Sequence, residues 1–346
     1  MLAVAELAAR VVFPAPPDPT RQPQIVFLYD PEIRYVLAAN QRGWIDDGFA
    51  TVNSNGFRGG ETAMPKPPGR FRVVLIGDSV TFGWGVADEE TFGARLEKLL
   101  HEQWSGADVD VVNVAVPGYD TRQEITLLER NVERLEPDLV LVGFYSNDVP
   151  DGLEDDKTLS DGGTRVLAKN PQPGQIMHVS SAPDPWWELQ LRRSRAAYVA
   201  GRLVRRVSSR GEWGMSRFSM EMDVLNGRDS ADLNRAWSGI EAQFARLREL
   251  SKGRFVAGVV ALPCREQVMG EFPNARYQTR IREIAERSGL LMIDPLPALI
   301  ASHRKPADLF IAYDRNHPSA AGHEIIARAL LDALASHRDL LAAIHR

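Results

Sequence analysis

The chain holds a single cysteine, Cys264, in 346 residues, so no internal disulfide ties it together. That excludes the small disulfide-framework class and leaves a cytosolic or a large secreted protein open. The seven histidines are dispersed, and no set of His, Cys and carboxylate residues has metal-ligand spacing. Neither a metal nor a cofactor is expected. An excess of positive charge is also missing. The net charge is −5 with basic residues scattered, which argues against nucleic acid as the principal partner. No apolar run reaches the ~20 residues of a membrane span. Residues 1–12 are apolar but interrupted by Glu6 and Arg10, and they lack the basic start of a signal peptide. A phosphate-binding loop needs Lys and Ser or Thr after its glycines, and Gly77 to Gly85 holds no Lys. A dinucleotide-binding glycine fingerprint is absent too.

What is present is an apolar content of 44%, ample for a core, and a length that suggests about two domain-sized units. Val73-Val74-Leu75-Ile76-Gly77 reads as a parallel strand covered on both faces, and it runs straight into Asp78-Ser79. Open α/β sheets keep their chemistry at the carboxyl ends of such strands. Ser79 therefore stands where a nucleophile would be useful, although Gly77-Asp78-Ser79 also reads as a plain strand-to-helix turn. Near the far end, Tyr313-Asp314-Arg315-Asn316-His317 leads into a periodic apolar helix. A serine hydroxyl needs an imidazole to take its proton, and the imidazole needs a carboxylate to fix its tautomer. Asp314 and His317 can supply both from one segment. His323 is the rival base, but it falls in the first turn of that helix, which Ser319 can cap. The positive end of a helix disfavours an imidazolium. The nucleophile elbow Gly-x-Ser-x-Gly fits less well, because Thr81 replaces its second Gly and the acid lies beside its His.

Two more strand patterns end in candidate donors. Val111 to Val114 leads to Pro117-Gly118, and Asp138 to Phe144 leads to Tyr145-Ser146-Asn147. Acyl transfer needs donors aimed at a developing oxyanion. The N–H groups of Ser79 and Gly118 and the side-chain amide of Asn147 each follow a successive strand. Taken singly, Gly118 reads equally as a turn residue and Asn147 as a cap.

Helices and strands alternate around these blocks. A helix over 88–103 has Asp88 as its cap, and one over 121–135 opens with a capping box at Thr121 and Glu124. Strands at 110–114 and 138–144 follow the first. After a break from 151 to 231, a helix over 232–250, strands at 254–261 and 290–293, and a helix over 275–288 resume the pattern. Right-handed crossovers make this a doubly wound α/β sheet of about five parallel strands. Residues 1–23 form an N-terminal segment with a Pro-rich connector, and 24–70 a β-rich extension in which Phe57 anchors a turn. Residues 71–150 and 232–346 form a discontinuous core domain. The insertion at 151–231 carries Glu154-Asp155-Asp156, Asp161-Gly162-Gly163 and Trp186-Trp187. A basic helical stretch at 188–207 follows, then Trp213, Met215, Phe218, Met220 and Met222. It leaves the strand that bears Asn147, so it reads as a lid with an adaptable apolar wall. The alternative is that these side chains pack the insertion's own core or a partner.

In this order the blocks at Ser79, Gly118, Asn147 and His317 together resemble the SGNH (GDSL-type) serine hydrolase family, over residues 71–150 and 232–335. The resemblance implies a flavodoxin-like three-layer α/β/α sandwich. It implies Ser79 as nucleophile, His317 as general base, Asp314 as its orienting acid, and Ser79, Gly118 and Asn147 as oxyanion-hole donors. Two neighbours depart from the family's pattern: Tyr145 and Ala115 stand where Gly is frequent, which bears on pocket shape rather than mechanism. Relatives of this kind often carry a membrane anchor before such an N-terminal segment. Residues 1–12 thus fit the tail of an anchor, whereas the sequence as it stands fits the cytoplasm. The implied function is a serine esterase or deacylase that uses an acyl-enzyme on Ser79. Acetylated glycan, lipid ester and small ester are all candidate substrates. An O-acyltransferase built from the same residues, and a catalytically idle binding module, are the alternatives.

Overall fold

A computed structural model describes residues 2–16, 18, 21–104, 108–153, 172–177, 190–208, 215–272 and 276–337. Its strands are β1 (Phe27–Asp30), β2 (Arg34–Leu37), β3 (Gln41–Ile45), β4 (Gly48–Val52), β5 (Phe71–Gly77), β6 (Val109–Asn113), β7 (Leu139–Phe144), β8 (Ile176–Met177), β9 (Val256–Ala261) and β10 (Leu291–Ile293). Five of them form one parallel sheet in the order β10-β9-β7-β5-β6. The chain goes from β5 outward to β6 and then returns past β5 to β7, so the strand order reverses between β5 and β7. In open α/β sheets ligands bind beyond the carboxyl ends of the strands at that switch point. Ser79 follows β5 and Asn147 follows β7, so both border the crevice.

The helices are α1 (Leu2–Val12), α2 (Ser79–Phe82), α3 (Phe92–Gln103), α4 (Thr121–Leu135), α5 (Asp148–Asp151), α6 (Arg195–Ser208), α7 (Met215–Asn226), α8 (Ala231–Ser251), α9 (Arg265–Val268), α10 (Arg276–Arg287), α11 (Leu296–Ala301), α12 (Pro306–Leu309) and α13 (Ala320–Ser336). α3 packs with α13, while α4 and α10 pack against α8 across the sheet. Every residue of β5 and β7 is buried as a result, which is why both read as unbroken apolar runs. The fold is the doubly wound five-stranded parallel sheet that the alternation predicts, in the flavodoxin-like α/β/α sandwich that the resemblance implies. No described helix is long and apolar enough to cross a membrane.

Three local expectations are corrected. α4 is capped by Asp120, whose carboxylate accepts from Gln123 N–H at 2.9 Å while Gln123 Oε1 accepts from Asp120 N–H at 3.1 Å. The box therefore lies one residue before Thr121 and Glu124, and Glu124 turns into the core. α3 starts at Phe92 with Thr91 as its cap. Asp88 instead accepts from Thr51 N–H at 3.0 Å and pairs with Arg58 at 2.8 Å. The basic stretch at 188–207 breaks before Arg195, because Glu6 of α1 accepts the N–H groups of Arg195 and Ala196 and caps a fresh helix.

The extension covers the sheet's edge. β3 and β4 form a hairpin, and Arg58 N–H donates to Asn113 O at 3.0 Å on β6, which blunts an open strand. Phe57 is buried in that turn. β1 and β2 pair antiparallel, and β8 of the insertion joins β1. The stretches Glu154-Asp155-Asp156 and Asp161-Gly162-Gly163, with Trp186, Trp187 and Trp213, lie outside the described residues. Of the methionines, Met220 and Met222 are partly buried and pack against the core.

α2 can lie flat on the sheet because Gly77 and Gly143 are paired neighbours on β5 and β7. A Cβ on Gly143 would stand 1.9 Å from Thr81 Oγ1, and one on Gly77 2.2 Å from it. Overpacking of this kind costs about 1–3 kcal/mol. Gly143→Ala should lower the unfolding free energy by that amount, read as a fall in the urea midpoint at unchanged slope, and adding Thr81→Ala should recover most of it. Full additivity of the two changes would refute the contact.

Candidate active site

Ser79 is the first residue of α2 and is half-buried. Its turn is fixed by Asp78, the N-cap, whose Oδ1 accepts from Val80 N–H at 2.9 Å. Asp78 Oδ2 accepts from Asn147 Nδ2 at 3.2 Å. That contact also sets the amide's orientation, because the reverse would put Asn147 Oδ1 against a carboxylate. Asn147 Nδ2 keeps a second N–H.

His317 comes from the loop before α13. Its Nε2 lies 2.8 Å from Ser79 Oγ and its Nδ1 2.7 Å from Asp314 Oδ2. The loop is closed by Ile311 N–H donating to His317 O and Asp314 N–H donating to Ile311 O, both at 3.0 Å. Asp314 Oδ1 accepts from Asn316 N–H at 2.7 Å and from His317 N–H at 3.2 Å. The Trp84 indole stacks on the imidazole, with ring centroids 5.7 Å apart. Burial works to raise the Asp314 carboxyl, but the charge of His317 and these hydrogen bonds outweigh it and bring it down to about 2. Burial works to lower His317, and it is outweighed by Asp314, with Asp78 and Asp46 adding to the rise above 6.5. With Asp314 ionised, the neutral imidazole carries its proton on Nδ1 and Nε2 accepts from the serine hydroxyl.

Gly118 is exposed in the turn after β6, with φ +80°. Val116 N–H donates to Gly77 O at 3.0 Å, and the Tyr35 hydroxyl donates to Pro117 O at 2.9 Å. Gln123 Nε2 donates to Ile33 O at 2.9 Å, so the extension braces this turn from outside. On the Asn147 side, Asp148 Oδ2 accepts from Tyr145 N–H at 2.9 Å. The Tyr145 hydroxyl donates to Asn316 Oδ1 at 3.0 Å and ties the Asn147 loop to the His317 loop. Ser146 Oγ donates to Glu221 Oε1 at 2.8 Å on α7.

The structure thus brings Ser79, Asp314 and His317 into one hydrogen-bonded chain, with Asn147 tied to the residue before the serine. His323 is apart from it. It is buried, accepts from Phe92 N–H at 3.1 Å through Nδ1, and is pushed down to about 3 by burial and nearby cations. Burial pushes the Cys264 thiol up to about 12. Sequence reasoning missed Asp78 and Trp84 as parts of the site, and it read Tyr145 only as a departure bearing on pocket shape. An Asp immediately before a helix start signals a cap, but nothing local announces its second bond to Asn147. Glu124 and Asp148 lie buried nearby, both raised well above the carboxylate range by burial and by neighbouring acids. Among the described residues, no group of three or more His, Cys, Asp or Glu side chains is arranged to hold a metal ion.

No curated protein matches the chain in sequence. Among solved structures, LAE5, an alpha/beta hydrolase enzyme from the metagenome of Lake Arreo in Spain, is 20% identical with a TM-score of 0.44, and covers 77% of this chain and 95% of its own. A catalytic mutant of Axe2, an acetylxylan esterase from Geobacillus stearothermophilus, is 19% identical with a TM-score of 0.43, covering 77% and 95%. TesA is 12% identical with a TM-score of 0.43, covering 78% and 99%. The GDSL-like Lipase/Acylhydrolase family matches residues 75–325. That span runs from β5, through the serine and asparagine loops, into α13, and the chain belongs to this family of SGNH-type ester hydrolases.

Proposed function

We propose that the chain is a serine esterase that works through an acyl-enzyme on Ser79, with His317 as general base and Asp314 as its orienting acid. The observation that carries this reading is the unbroken chain Asp314–His317–Ser79, with links of 2.7 and 2.8 Å. Ser79 Oγ attacks the ester carbonyl as Nε2 takes its proton. The N–H groups of Ser79 and Gly118 and the second N–H of Asn147 Nδ2 receive the oxyanion. The imidazolium then protonates the departing alcohol. Water, deprotonated by the same nitrogen, releases the acid and regenerates the serine. The substrate is an ester of a small molecule, glycan or lipid. The insertion starts beside Asn147, which supports its reading as a lid over the acyl or alcohol pocket.

A fluorophosphonate probe should label Ser79 alone, and Ser79→Ala should abolish both labelling and turnover. Unchanged hydrolysis by Ser79→Ala would overturn the reading. His317→Ala should lower kcat by on the order of 10⁴ or more. Asn147→Ala should cost on the order of 10²–10³ and leave measurable turnover.

The pH profile follows from the sign of the His317 shift. Catalysis needs the neutral imidazole, and His317 is raised above 6.5, so kcat/KM should fall with unit slope as pH drops through a value above 6.5. Removing the Asp314 charge should move that limb to lower pH while cutting the plateau by on the order of 10⁴. Stopped assays across pH 5–9 on wild type and Asp314→Asn would check both points.

A further inference from the structure

The side-chain amide of Asn147 needs an exact position, and its own tie to Asp78 is 3.2 Å long. The residues around it supply further restraint. Tyr145 N–H donates to Asp148 Oδ2 at 2.9 Å, and the Tyr145 hydroxyl donates to Asn316 Oδ1 at 3.0 Å. Ser146 is buried and donates through Oγ to Glu221 Oε1 at 2.8 Å. Of these partners Glu221 alone belongs to the insertion. The insertion thus meets the asparagine loop through a carboxylate that stands between Met220 and Met222 in the sequence.

Glu221 is buried on α7. Val224 and Leu225, three and four residues on, share its face and lie in the core. α7 packs against α5, the helix that Asn147 starts, and against α10. A carboxylate on such a face is costly unless polar partners meet it. Two do: Ser146 Oγ, and the Arg315 guanidinium, whose Nη2 stands 4.0 Å from the same Glu221 oxygen. Their dependence on Glu221 is unequal. Arg315 is also paired with Glu266 at 3.3 Å, and its carbonyl accepts from Arg265 N–H at 3.0 Å, so α9 holds it as well. Among the described residues, the Ser146 hydroxyl has Glu221 alone. Losing Glu221 therefore loosens the asparagine loop more than the histidine loop.

We propose that Glu221 is a positioning residue: by holding the Ser146 hydroxyl it fixes the turn from which Asn147 presents its second N–H. The inference rests on the esterase reading, in which that N–H receives the oxyanion. Its effect falls on turnover rather than on binding, because the oxyanion exists only after attack. A donor displaced by a fraction of an ångström leaves the ground-state ester bound as before and meets the oxyanion less well. An apolar side chain at 221 could fill the same space, but it would leave the Ser146 hydroxyl buried without an acceptor.

The test measures kcat and KM on p-nitrophenyl acetate. Glu221→Ala should lower kcat about ten-fold, a part of the loss on the order of 10²–10³ expected when the donor itself is removed, and leave KM unchanged. Glu221→Gln keeps an acceptor oxygen and should restore most of kcat. In an Asn147→Ala background, Glu221→Ala should cost nothing further, because the donor it places is gone. A residue that only supports the fold would lower kcat by the same factor with or without Asn147, and that result would overturn the proposal. Glu221→Gln as slow as Glu221→Ala would assign the effect to Arg315 and overturn it too, as would wild-type kcat in Glu221→Ala. If Glu221→Ala does not fold, Ser146→Ala takes its place and should show the same loss and the same dependence on Asn147. Wild-type turnover by Ser79→Ala would sink the esterase reading itself. An inactive Ser79→Ala beside fully active Glu221 and Ser146 variants would sink this inference alone.

Discussion

A buried carboxylate, that of Asp78, links the two strand ends between which the sheet reverses its order. One of its oxygens caps the short helix that presents Ser79, and the other receives the amide of Asn147. Without it, the serine turn and the asparagine loop would be two neighbouring surface turns. With it, Ser79 and Asn147, the proposed nucleophile and oxyanion donor, are held by one rigid group. The glycine pair beneath serves the same end, since Gly77 and Gly143 let Thr81 settle onto the sheet and fix the height at which Ser79 stands. The energetic cost is a desolvated acid, which burial drives upward. Its hydrogen bonds to Val80 and Asn147 offset part of that cost.

The N-terminal extension belongs to the site as much as to the scaffold. From one side Tyr35 grips the turn that carries Gly118, and Ile33 holds Gln123 at the start of the helix that follows it. From the other, the β3–β4 hairpin bears on Gly85 and Val86 behind Trp84. Two loops that flank Ser79 are thus braced by a segment that contributes nothing to the parallel sheet. A sheet's carboxyl end supplies loops, and loops alone hold groups less exactly than strands or helices do. The extension provides the second layer of contacts that removes this freedom. Tyr145 does so from within, since its hydroxyl bridges to Asn316. A glycine there could not make that link, so the departure of Tyr145 from the family's usual residue changes how the loops are joined, not only the pocket's shape.

Much of this was legible in the sequence, for a physical reason. Strands buried on both faces must be apolar throughout, so β5 and β7 stand out from any window, and each points to the loop that follows it. Asp314 and His317 lie in one short loop, so their contact is local. What stayed hidden was whatever depends on two distant segments meeting. Asp120 and Thr121 are equally good caps by residue type, and only the burial of Glu124 decides between them. Asp88 looked like a helix cap until the extension brought Thr51 and Arg58 to it. Glu221 could not be placed at all, because its position follows from the seating of α7 against α5. The site's chemistry is thus encoded locally and its surroundings non-locally.

The charges around the site show what kind of help the scaffold gives. In the proposed mechanism, Asp78, Asp314 and Asp46 each favour the imidazolium that would form when Ser79 attacks. The same negative groups oppose the oxyanion that forms at the same moment a few bonds away. For Asp314 the balance is clear, because it touches the imidazole directly and no oxyanion donor. Asp78 is different: it touches the donor Asn147 and also raises His317, so its field helps one nascent charge and hinders the other. A group in that position gains the enzyme little through Coulombic attraction. Its value lies in where it holds Ser79 and Asn147, and geometry at this level is worth several orders of magnitude in rate. Asparagine in its place would keep the shape but only one of the two acceptor oxygens, so it would release either Val80 N–H or the Asn147 amide.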